Sequence, residues 1–364
     1  MINGKYSMKP IYFTVGPSQL YPTAQKHIRR ALKDEIYSLS HRSSQFSEIN
    51  RKTQASLRTL LAIPKSHHLF FTSCALEGME RTIANTVEKK SFHFVNGSFS
   101  REFWQIAIDL GKQSMRFDVP NGEGFDFSQV EIPQDVELIC LVQNETSTGV
   151  AQSMESIYAL KKRYPQTLIA IDVVSSAPYT NIDFSLIDIA LFSVQKGFGM
   201  PAGLGVLIVN DRALEKAAWL AKKGIAIGSY HSFPKFDEFA KKFQTRETPN
   251  VGAIYLLGNV VDDMLHTGID VIRNDTEKKA QMIYDFFDTH ARYKPVVSQQ
   301  FRSKTTMVID MNGESAKVRE ELSQRGFIVA GGYGKRKEWH IRIGNFPAHS
   351  VADMKKLVYV MKHM

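Results

Sequence analysis

The sequence predicts an α/β fold in which a mostly parallel sheet is covered by helices and is followed by a smaller C-terminal α/β domain. Short apolar runs rich in Val, Ile and Phe recur along the chain, at 68–72, 92–95, 136–142, 168–172, 188–193 and 205–209. Most are separated by segments with helical periodicity, including 77–87, 101–110 and 153–163. Continuous apolar strands that alternate with helices indicate a sheet with both faces covered.

The pattern changes after an irregular, charged stretch at 228–250. Two long helical segments then lead to three strand candidates, with helices at 253–266 and 271–291 and strands at 305–311, 327–330 and 339–343. Because 364 residues exceed what one hydrophobic core usually organises, two domains are expected. We predict a large domain over 13–252, and a small domain that joins 253–364 to the N-terminal residues 1–12.

The composition is that of a globular protein, with 43% hydrophobic and 23% charged residues. No apolar run approaches the roughly 20 residues that span a bilayer, and the polar start of the chain lacks the apolar centre of a signal peptide. We therefore expect a cytoplasmic protein without membrane contact. The only cysteines are Cys74 and Cys140. Since Cys140 lies inside an apolar run, no disulfide is expected.

The net charge of +9 raises the question of nucleic acid. The basic residues are dispersed, however, and the densest cluster, at 335–337, is short. An anionic cofactor and anionic substrates explain a positive balance equally well. We predict small-molecule amino acids and 2-oxo acids as partners and no nucleic acid, and no residue is assigned to a metal.

Lys196 and Asp172 are the leading catalytic candidates. One apolar run stops at Lys196 inside a glycine-rich turn, and an earlier run ends at Asp172. Ligands of parallel sheets bind at the carboxyl ends of the strands, where both residues are placed. A lysine amine can form a Schiff base with the aldehyde of pyridoxal phosphate, and a carboxylate can keep the pyridine nitrogen protonated. The alternative is that both residues only mark where solvent begins.

A phosphate site is predicted where segment 71–80 follows a strand and opens a helix with small residues. Free backbone N–H groups and the helix dipole favour an anion at such a position. The alternative is an ordinary helix start capped by Thr72 or Ser73.

Together these motifs resemble the class V aminotransferases of the fold-type I pyridoxal-phosphate superfamily. The resemblance runs nearly end to end, from Phe13-Thr-Val-Gly-Pro17 to Arg342-Ile-Gly344. Its strongest element is Ile171-Asp172 followed by Ser193-Val-Gln-Lys196. It implies that Lys196 carries the cofactor and that Asp172 pairs with the ring nitrogen.

The resemblance also implies the remaining cofactor contacts. The phosphate would be held by Ser73, Cys74 and Ala75, with Gln195 beside it. Phe99, in Asn96-Gly-Ser-Phe99, would stack on the pyridine ring, and the hydroxyl of Thr146 would bond the phenolic oxygen of the cofactor. Thr248, in Thr248-Pro-Asn250, would reach the phosphate of a partner subunit, which implies a homodimer with shared active sites.

Three residues are implied as substrate contacts. Arg342 would bind the α-carboxylate of the substrate through two hydrogen bonds from its planar guanidinium. His41 and Arg42, in Ser40-His-Arg42, would reach the distal group of the substrate from across the dimer. Each of them could instead be a solvated surface charge.

Two branches of the family remain open. Segments 40–42, 144–146 and 201–204 favour the phosphoserine branch. Leu76 occupies the position where that branch often has a second arginine, and Glu77 and the segment 147–149 favour the alanine–glyoxylate and serine–pyruvate branch. We expect a phosphoserine:2-oxoglutarate type of aminotransferase, with the alanine–glyoxylate type as the alternative.

Other functional classes of protein fit the sequence less well. A desulfurase of the same fold needs a cysteine after the Schiff-base lysine, whereas both cysteines precede Lys196. A nicotinamide-dependent oxidoreductase would need G-x-G-x-x-G after an early strand, and Gly197-Phe-Gly199 follows a late strand with the wrong spacing. A silent binding module would not be expected to keep the lysine, aspartate and arginine together.

Overall fold

The computed structural model describes residues 9–364. Its α-helices are α1 Ala24–Lys33, α2 Ser44–Leu61, α3 Ala75–Thr86, α4 Ser98–Asp109, α5 Met154–Arg163, α6 Asp211–Lys222, α7 Phe233–Ala240, α8 Val251–Thr267, α9 Ile269–Thr289, α10 Ser315–Gln324 and α11 Val351–Lys362. Its strands are β1 Ile11–Phe13, β2 His67–Thr72, β3 Lys90–Val95, β4 Gln113–Asp118, β5 Leu138–Val142, β6 Asn144–Glu145, β7 Val150–Ala151, β8 Leu168–Asp172, β9 Ile189–Ser193, β10 Gly205–Asn210, β11 Lys294–Pro295, β12 Thr306–Asp310, β13 Phe327–Gly331 and β14 His340–Gly344.

The larger sheet has seven strands in the order β2-β10-β9-β8-β5-β3-β4. Strand β10 runs antiparallel to both of its neighbours, and the other pairs are parallel. Every residue of β5, β8 and β9 is buried, because helices cover both faces of the sheet. The prediction of a mostly parallel, helix-covered sheet is confirmed.

The two faces of this sheet belong to different cores. Along β8, Ile169 and Ile171 pack with α1, α2, α5 and α8, whereas Leu168 and Ala170 pack with α3, α4, α6 and α7. Successive side chains of a strand point to opposite faces, so one apolar run supplies both cores.

The smaller sheet has the order β1-β13-β14-β12-β11. Strand β1 is parallel to β13, and the remaining pairs are antiparallel. Helices α9, α10 and α11 contribute to its core. Residues 11–13 of the N-terminal segment therefore belong to this sheet, while residues 1–8 of the predicted small domain lie outside the described residues.

Helix α8 packs with the large sheet. Its buried side chains, among them Ile254, Leu257 and Val260, belong to the core that contains α1 and α2. The core of the smaller sheet takes up α9 from Ala280 onward. The predicted domain boundary between 252 and 253 stays a prediction, and the packing favours a boundary near Gly268, where α8 ends.

Two further features bear on the sequence expectations. The thiols of Cys74 and Cys140 are both free. Among residues 9–364, no helix combines the length and the apolar composition needed to cross a membrane.

Candidate functional site

Lys196 lies three residues after β9 and is buried, with 6% of its surface exposed. Strand β9 is parallel to β8, which ends at Asp172, so both residues lie at the same edge of the sheet. The Lys196 amine donates a 2.7 Å hydrogen bond to Thr146 Oγ1. The structure thus brings together three of the predicted residues.

Gly16 forms the wall beside Lys196, a role that sequence reasoning missed. Its φ is +133°, and a Cβ atom built on it would lie 2.7 Å from Lys196 Cε. The following segment is anchored to the lysine loop, because the Ser18 N–H donates to the carbonyl of Gln195 at 3.1 Å. Only glycine fits at position 16, both for its backbone conformation and for the close approach. Gln195 itself is half-buried.

Asp172 is buried, and its Oδ1 accepts a 2.7 Å hydrogen bond from the Val174 N–H. Burial raises the pKa of Asp172, while the Val174 N–H and the charge of Lys196 oppose that rise. Burial likewise lowers the pKa of Lys196, and the charge of Asp172 opposes that change. Each group therefore favours the charged form of the other inside an apolar surrounding.

Two aromatic rings and an arginine form the other side of the site. The Lys196 amine lies 5.3 Å from the centre of the Phe99 ring, and the ring of Tyr333 lies 5.6 Å from that of Phe99. The guanidinium of Arg342 lies 5.4 Å from the Tyr333 ring centre. Tyr333 was not among the predicted residues, because nothing in the sequence of its loop indicates that it folds over β14.

Arg342 is half-buried on β14 and reaches the loop that carries Thr146. Its Nε donates to the Gly331 carbonyl at 2.8 Å and its Nη1 to the Thr146 carbonyl at 3.2 Å. Burial lowers the pKa of Arg342. These contacts tie the small sheet to the loop that carries Thr146.

Glu145 is a second residue that sequence reasoning missed. It is fully buried next to Thr146, and its carboxylate accepts hydrogen bonds from Phe99, Ser100 and Ser147. The sequence could have pointed to Glu145, because this residue lies inside the Asn144-Glu-Thr146 segment.

The start of α3 differs from the free phosphate cradle predicted at residues 73–75. The Ser73 N–H donates to Glu77 Oε2 at 2.7 Å, and the Ala75 N–H donates to Ser193 Oγ at 2.7 Å. Within residues 9–364 the N–H of Cys74 has no hydrogen-bond partner. The alternative of a side-chain cap is not seen either, because Cys74 occupies the N-cap position without such a bond.

A cleft of about 630 Å³ brings Ser73 and Thr248 to one surface within the same chain. Glu77 and His231 also line it, with the Glu77 carboxylate 2.6 Å from His231 Nδ1. Thr248 is exposed there. Of the residues implied for phosphate binding, Ser73 and Thr248 line this cleft, and the N–H and the hydroxyl of Ser73 both donate to Glu77.

His41 and Arg42 lie near this cleft but contact their own chain. The Arg42 guanidinium donates to the carbonyls of Thr245 and Arg246 at 2.5 and 2.9 Å, and it lies 4.8 Å from the ring centre of Phe239. Burial and the charge of Arg42 lower the pKa of His41, and the charge of Glu247 opposes them. Arg42 thus fastens the segment that leads to Thr248.

The sequence profile of the family described as aminotransferase class-V matches residues 14–336. A relative from Rhodococcus opacus (strain B4), named phosphoserine aminotransferase, is 26% identical over 350 residues, which are 95% of this chain and 92% of that protein.

Solved structures show the same similarity. A phosphoserine aminotransferase from Cytophaga hutchinsonii is 43% identical, with a TM-score of 0.96 over 97% of this chain and 98% of its own. An alanine–glyoxylate aminotransferase from Nostoc shares the fold at 19% identity, with a TM-score of 0.76 over 98% of this chain and 96% of its own. The match of the family profile over most of the chain, together with these relatives, identifies the chain as a member of the class-V aminotransferase family and therefore as an aminotransferase.

Proposed function

We propose that the chain transfers amino groups with pyridoxal phosphate held covalently by Lys196. The observation that carries this proposal is a buried lysine amine that shares one sheet edge with a buried carboxylate and faces an aromatic ring. When bound, pyridoxal phosphate supplies an aldehyde and a ring that accepts electrons. The amine of Lys196 can bind the aldehyde, the carboxylate of Asp172 can pair with the ring nitrogen, and the Phe99 ring can stack on the cofactor ring.

The residues around Lys196 would control its proton. Because burial lowers its pKa, the amine gives up a proton more readily than an exposed lysine does. Thr146 Oγ1 orients the amine at 2.7 Å. The amine would take and return the proton that moves in the transfer, while Asp172 would hold a proton at the ring nitrogen.

The cofactor phosphate would bind at the start of α3. The Cys74 N–H is free for it. The Ser73 N–H would become free if the cofactor phosphate displaced Glu77 Oε2, while Glu77 Oε1 already contacts His231. Gln195 and the partner subunit's Thr248 would complete the proposed phosphate contacts, and Ala75 would join them once its N–H leaves Ser193 Oγ. A helix N-terminus suits an anion of this kind.

Arg342 would bind the α-carboxylate of the substrate. Its Nε and Nη1 already hold backbone carbonyls, and the same planar group can offer a two-donor face to a carboxylate. Tyr333 would close the site over this arginine.

We further propose phosphoserine and 2-oxoglutarate as substrates. The support is the 43% identity to a phosphoserine aminotransferase, together with the Ser40-His-Arg42 segment. In this proposal the enzyme is a homodimer in the cytoplasm, and His41, Arg42 and Thr248 act at the site of the partner. Leu76 favours the second candidate, an alanine–glyoxylate type, because it offers no positive charge to a distal phosphate.

The test is to load the protein with pyridoxal phosphate, reduce it with borohydride and map the modified peptide. Lys279 is a demanding internal comparison, because it is also buried and burial lowers its pKa to about 8. We expect the label on Lys196 and none on Lys279, whose ammonium donates to the carbonyls of Phe346 and His349. A label elsewhere, or no absorption band after loading, contradicts the proposal.

Substrate specificity is a separate measurement. We expect higher kcat/KM for phosphoserine than for alanine or serine when 2-oxoglutarate is the acceptor. A preference for alanine with glyoxylate would support the second candidate instead.

A further inference from the structure

Glu145 is a buried anion held by hydrogen-bond donors that carry no charge of their own. Oε1 accepts from the Phe99 N–H at 3.3 Å, the Ser147 N–H at 3.1 Å and Ser147 Oγ at 2.6 Å. Oε2 accepts from the Ser100 N–H at 2.9 Å and Ser100 Oγ at 3.0 Å. None of these five donors belongs to a lysine or an arginine.

The carboxylate fills the N-terminus of α4. The N–H groups of Phe99 and Ser100 lie in the first turn of this helix and have no partner inside it. A negative charge at that end is favoured by the helix dipole. The fit is close, because a Cβ atom added to Gly97 would lie 2.3 Å from Glu145 Cγ.

The same carboxylate fixes the loop on the other side. Glu145 is the chain neighbour of Thr146, and its bonds to Ser147 hold the loop immediately after that residue. Thr146 in turn accepts from Lys196 through its hydroxyl and from Arg342 through its carbonyl. One side chain therefore connects the helix that carries Phe99 with the loop that carries Thr146.

We propose that Glu145 is a positioning residue for amino transfer: its carboxylate holds in place the Phe99 backbone and the Thr146 loop, which both lie next to the Lys196 amine. This role deepens the proposed function and rests on it. Glu145 itself touches neither Lys196 nor Arg342 in the hydrogen bonds described for it.

The charge of Glu145 adds an electrostatic consequence. Three charged groups act on Lys196: Asp172 and Glu145 raise the pKa of its amine, and Arg342 lowers it, while burial lowers the pKa most. Removing the charge of Glu145 should therefore lower the pKa of Lys196 further, so that the neutral amine persists to lower pH.

The test uses Glu145→Gln, Glu145→Asp and Glu137→Gln, each prepared without cofactor and mixed with pyridoxal phosphate. Loading requires the neutral lysine amine, so its rate is followed by absorbance from pH 6 to pH 9. Glu137 is the matched control, because its carboxylate also accepts backbone N–H groups, from Glu88, Lys89 and Lys90, but at the opposite end of β5.

Glu145→Gln should shift the pH midpoint of loading downward by about half a unit, which makes loading below the midpoint about threefold faster. In the same variant kcat should fall by about tenfold or more, because one backbone donor of α4 loses its acceptor. Glu137→Gln should change neither quantity, even if its thermal stability falls.

Glu145→Asp keeps the charge but is too short to reach both α4 and Ser147. We expect the loading midpoint of the unaltered protein together with a kcat reduced by about tenfold. This variant carries the test if Glu145→Gln does not fold.

An unchanged midpoint and kcat in Glu145→Gln, or an unchanged kcat in Glu145→Asp, would overturn the role of Glu145. If the unaltered protein takes up no pyridoxal phosphate, the proposed function fails instead, so the two failures are distinguishable.

Discussion

The Lys196 amine and the Thr146 hydroxyl lie 2.7 Å apart in a hydrogen bond. This contact joins the turn after β9 to the loop between β6 and β7, two segments that are 50 residues apart in the chain. Because Lys196 is buried, few other acceptors can satisfy its amine. The bond therefore sets the direction of the amine.

Replacing Thr146 by valine should remove that acceptor while keeping the shape of the side chain. A hydrogen bond to a charged group is worth roughly 1.5–3 kcal/mol, so the pKa of Lys196 should fall by about one unit or more. We expect loading with pyridoxal phosphate to extend to lower pH by that amount, as measured by absorbance. Thr148→Val is the control, because Thr148 Oγ1 has no hydrogen-bond partner among the described residues.

Asp172→Asn tests the ring partner. The amide keeps an oxygen that can accept from the Val174 N–H, which Asp172 Oδ1 does at 2.7 Å, but it carries no charge to hold a proton on the pyridine nitrogen. Loading should persist, while the single-turnover rate with an amino donor should drop by more than about tenfold, or roughly 1.4 kcal/mol of barrier. A smaller drop would mean that Asp172 is not the partner of the ring.

The fold was largely predictable from the sequence because β5, β8 and β9 are apolar except for Asp172 and Ser193 at the ends of β8 and β9, a pattern typical of a sheet covered on both faces. Strand β4 was missed, since its exposed edge gives it alternating polar residues. Helices α1 and α2 were missed too, because neither lies between two apolar runs.

The candidate site was predictable where a residue follows a strand, as Lys196 and Asp172 do. It was not predictable where the contact depends on tertiary packing. Gly16 contacts Lys196 from the N-terminal segment, and Tyr333 contacts Phe99 from the loop between β13 and β14. The hydrogen-bond acceptors of the Ser73 and Ala75 N–H groups could not be predicted either, because they depend on the orientation of the Glu77 and Ser193 side chains.

Arg342→Lys should damage every amino donor alike. An ammonium cannot hold the carbonyls of Gly331 and Thr146 and also offer a planar two-donor face to a carboxylate. We expect kcat/KM to fall by about tenfold to a hundredfold, which spans the range for one lost charge-assisted hydrogen bond. If only phosphorylated substrates are affected in steady-state assays, Arg342 contacts the distal group instead of the α-carboxylate.

Two buried histidines should make the protein sensitive to acid. Burial lowers the pKa of His93 to about 3 and that of His349 to about 4. The unfolded chain, with a histidine pKa of about 6.5, binds more protons than the folded chain below that pH. The free energy of unfolding should therefore fall as the pH falls from about 6.5 toward these values.

His93→Leu isolates one of the two contributions. At pH 5 the proton that only the unfolded chain binds at His93 lowers the free energy of unfolding by about 2 kcal/mol. Between pH 7 and pH 5 the free energy of unfolding should therefore fall by about 2 kcal/mol less in the variant than in the unaltered protein. Urea unfolding at the two pH values measures the difference, and the same substitution at exposed His363 is the control. Equal losses in both variants would show that His93 does not carry the effect.

The choice between the two substrate classes depends on the charge around the distal group. His41 has a lowered pKa, so it contributes little positive charge at neutral pH. Arg42 already donates to the carbonyls of Thr245 and Arg246. Removing Arg42 would also loosen the segment that leads to Thr248, so a loss in Arg42→Ala does not by itself report on substrate recognition.

Adding a charge avoids that difficulty. Leu76 lies in the first turn of α3 with 45% of its surface exposed, so an arginine fits there without disturbing the core. If the distal phosphate lies beside this turn, Leu76→Arg should raise kcat/KM for phosphoserine by about tenfold, on the scale of one charge-assisted hydrogen bond. The value for alanine should stay within about twofold, because alanine has no distal anion.

Leu76→Gln, which adds polarity without charge, is the matched control and should leave phosphoserine turnover unchanged. A gain shared by both substrates would place position 76 outside the distal pocket, and no phosphoserine turnover in either protein would favour the alanine–glyoxylate type.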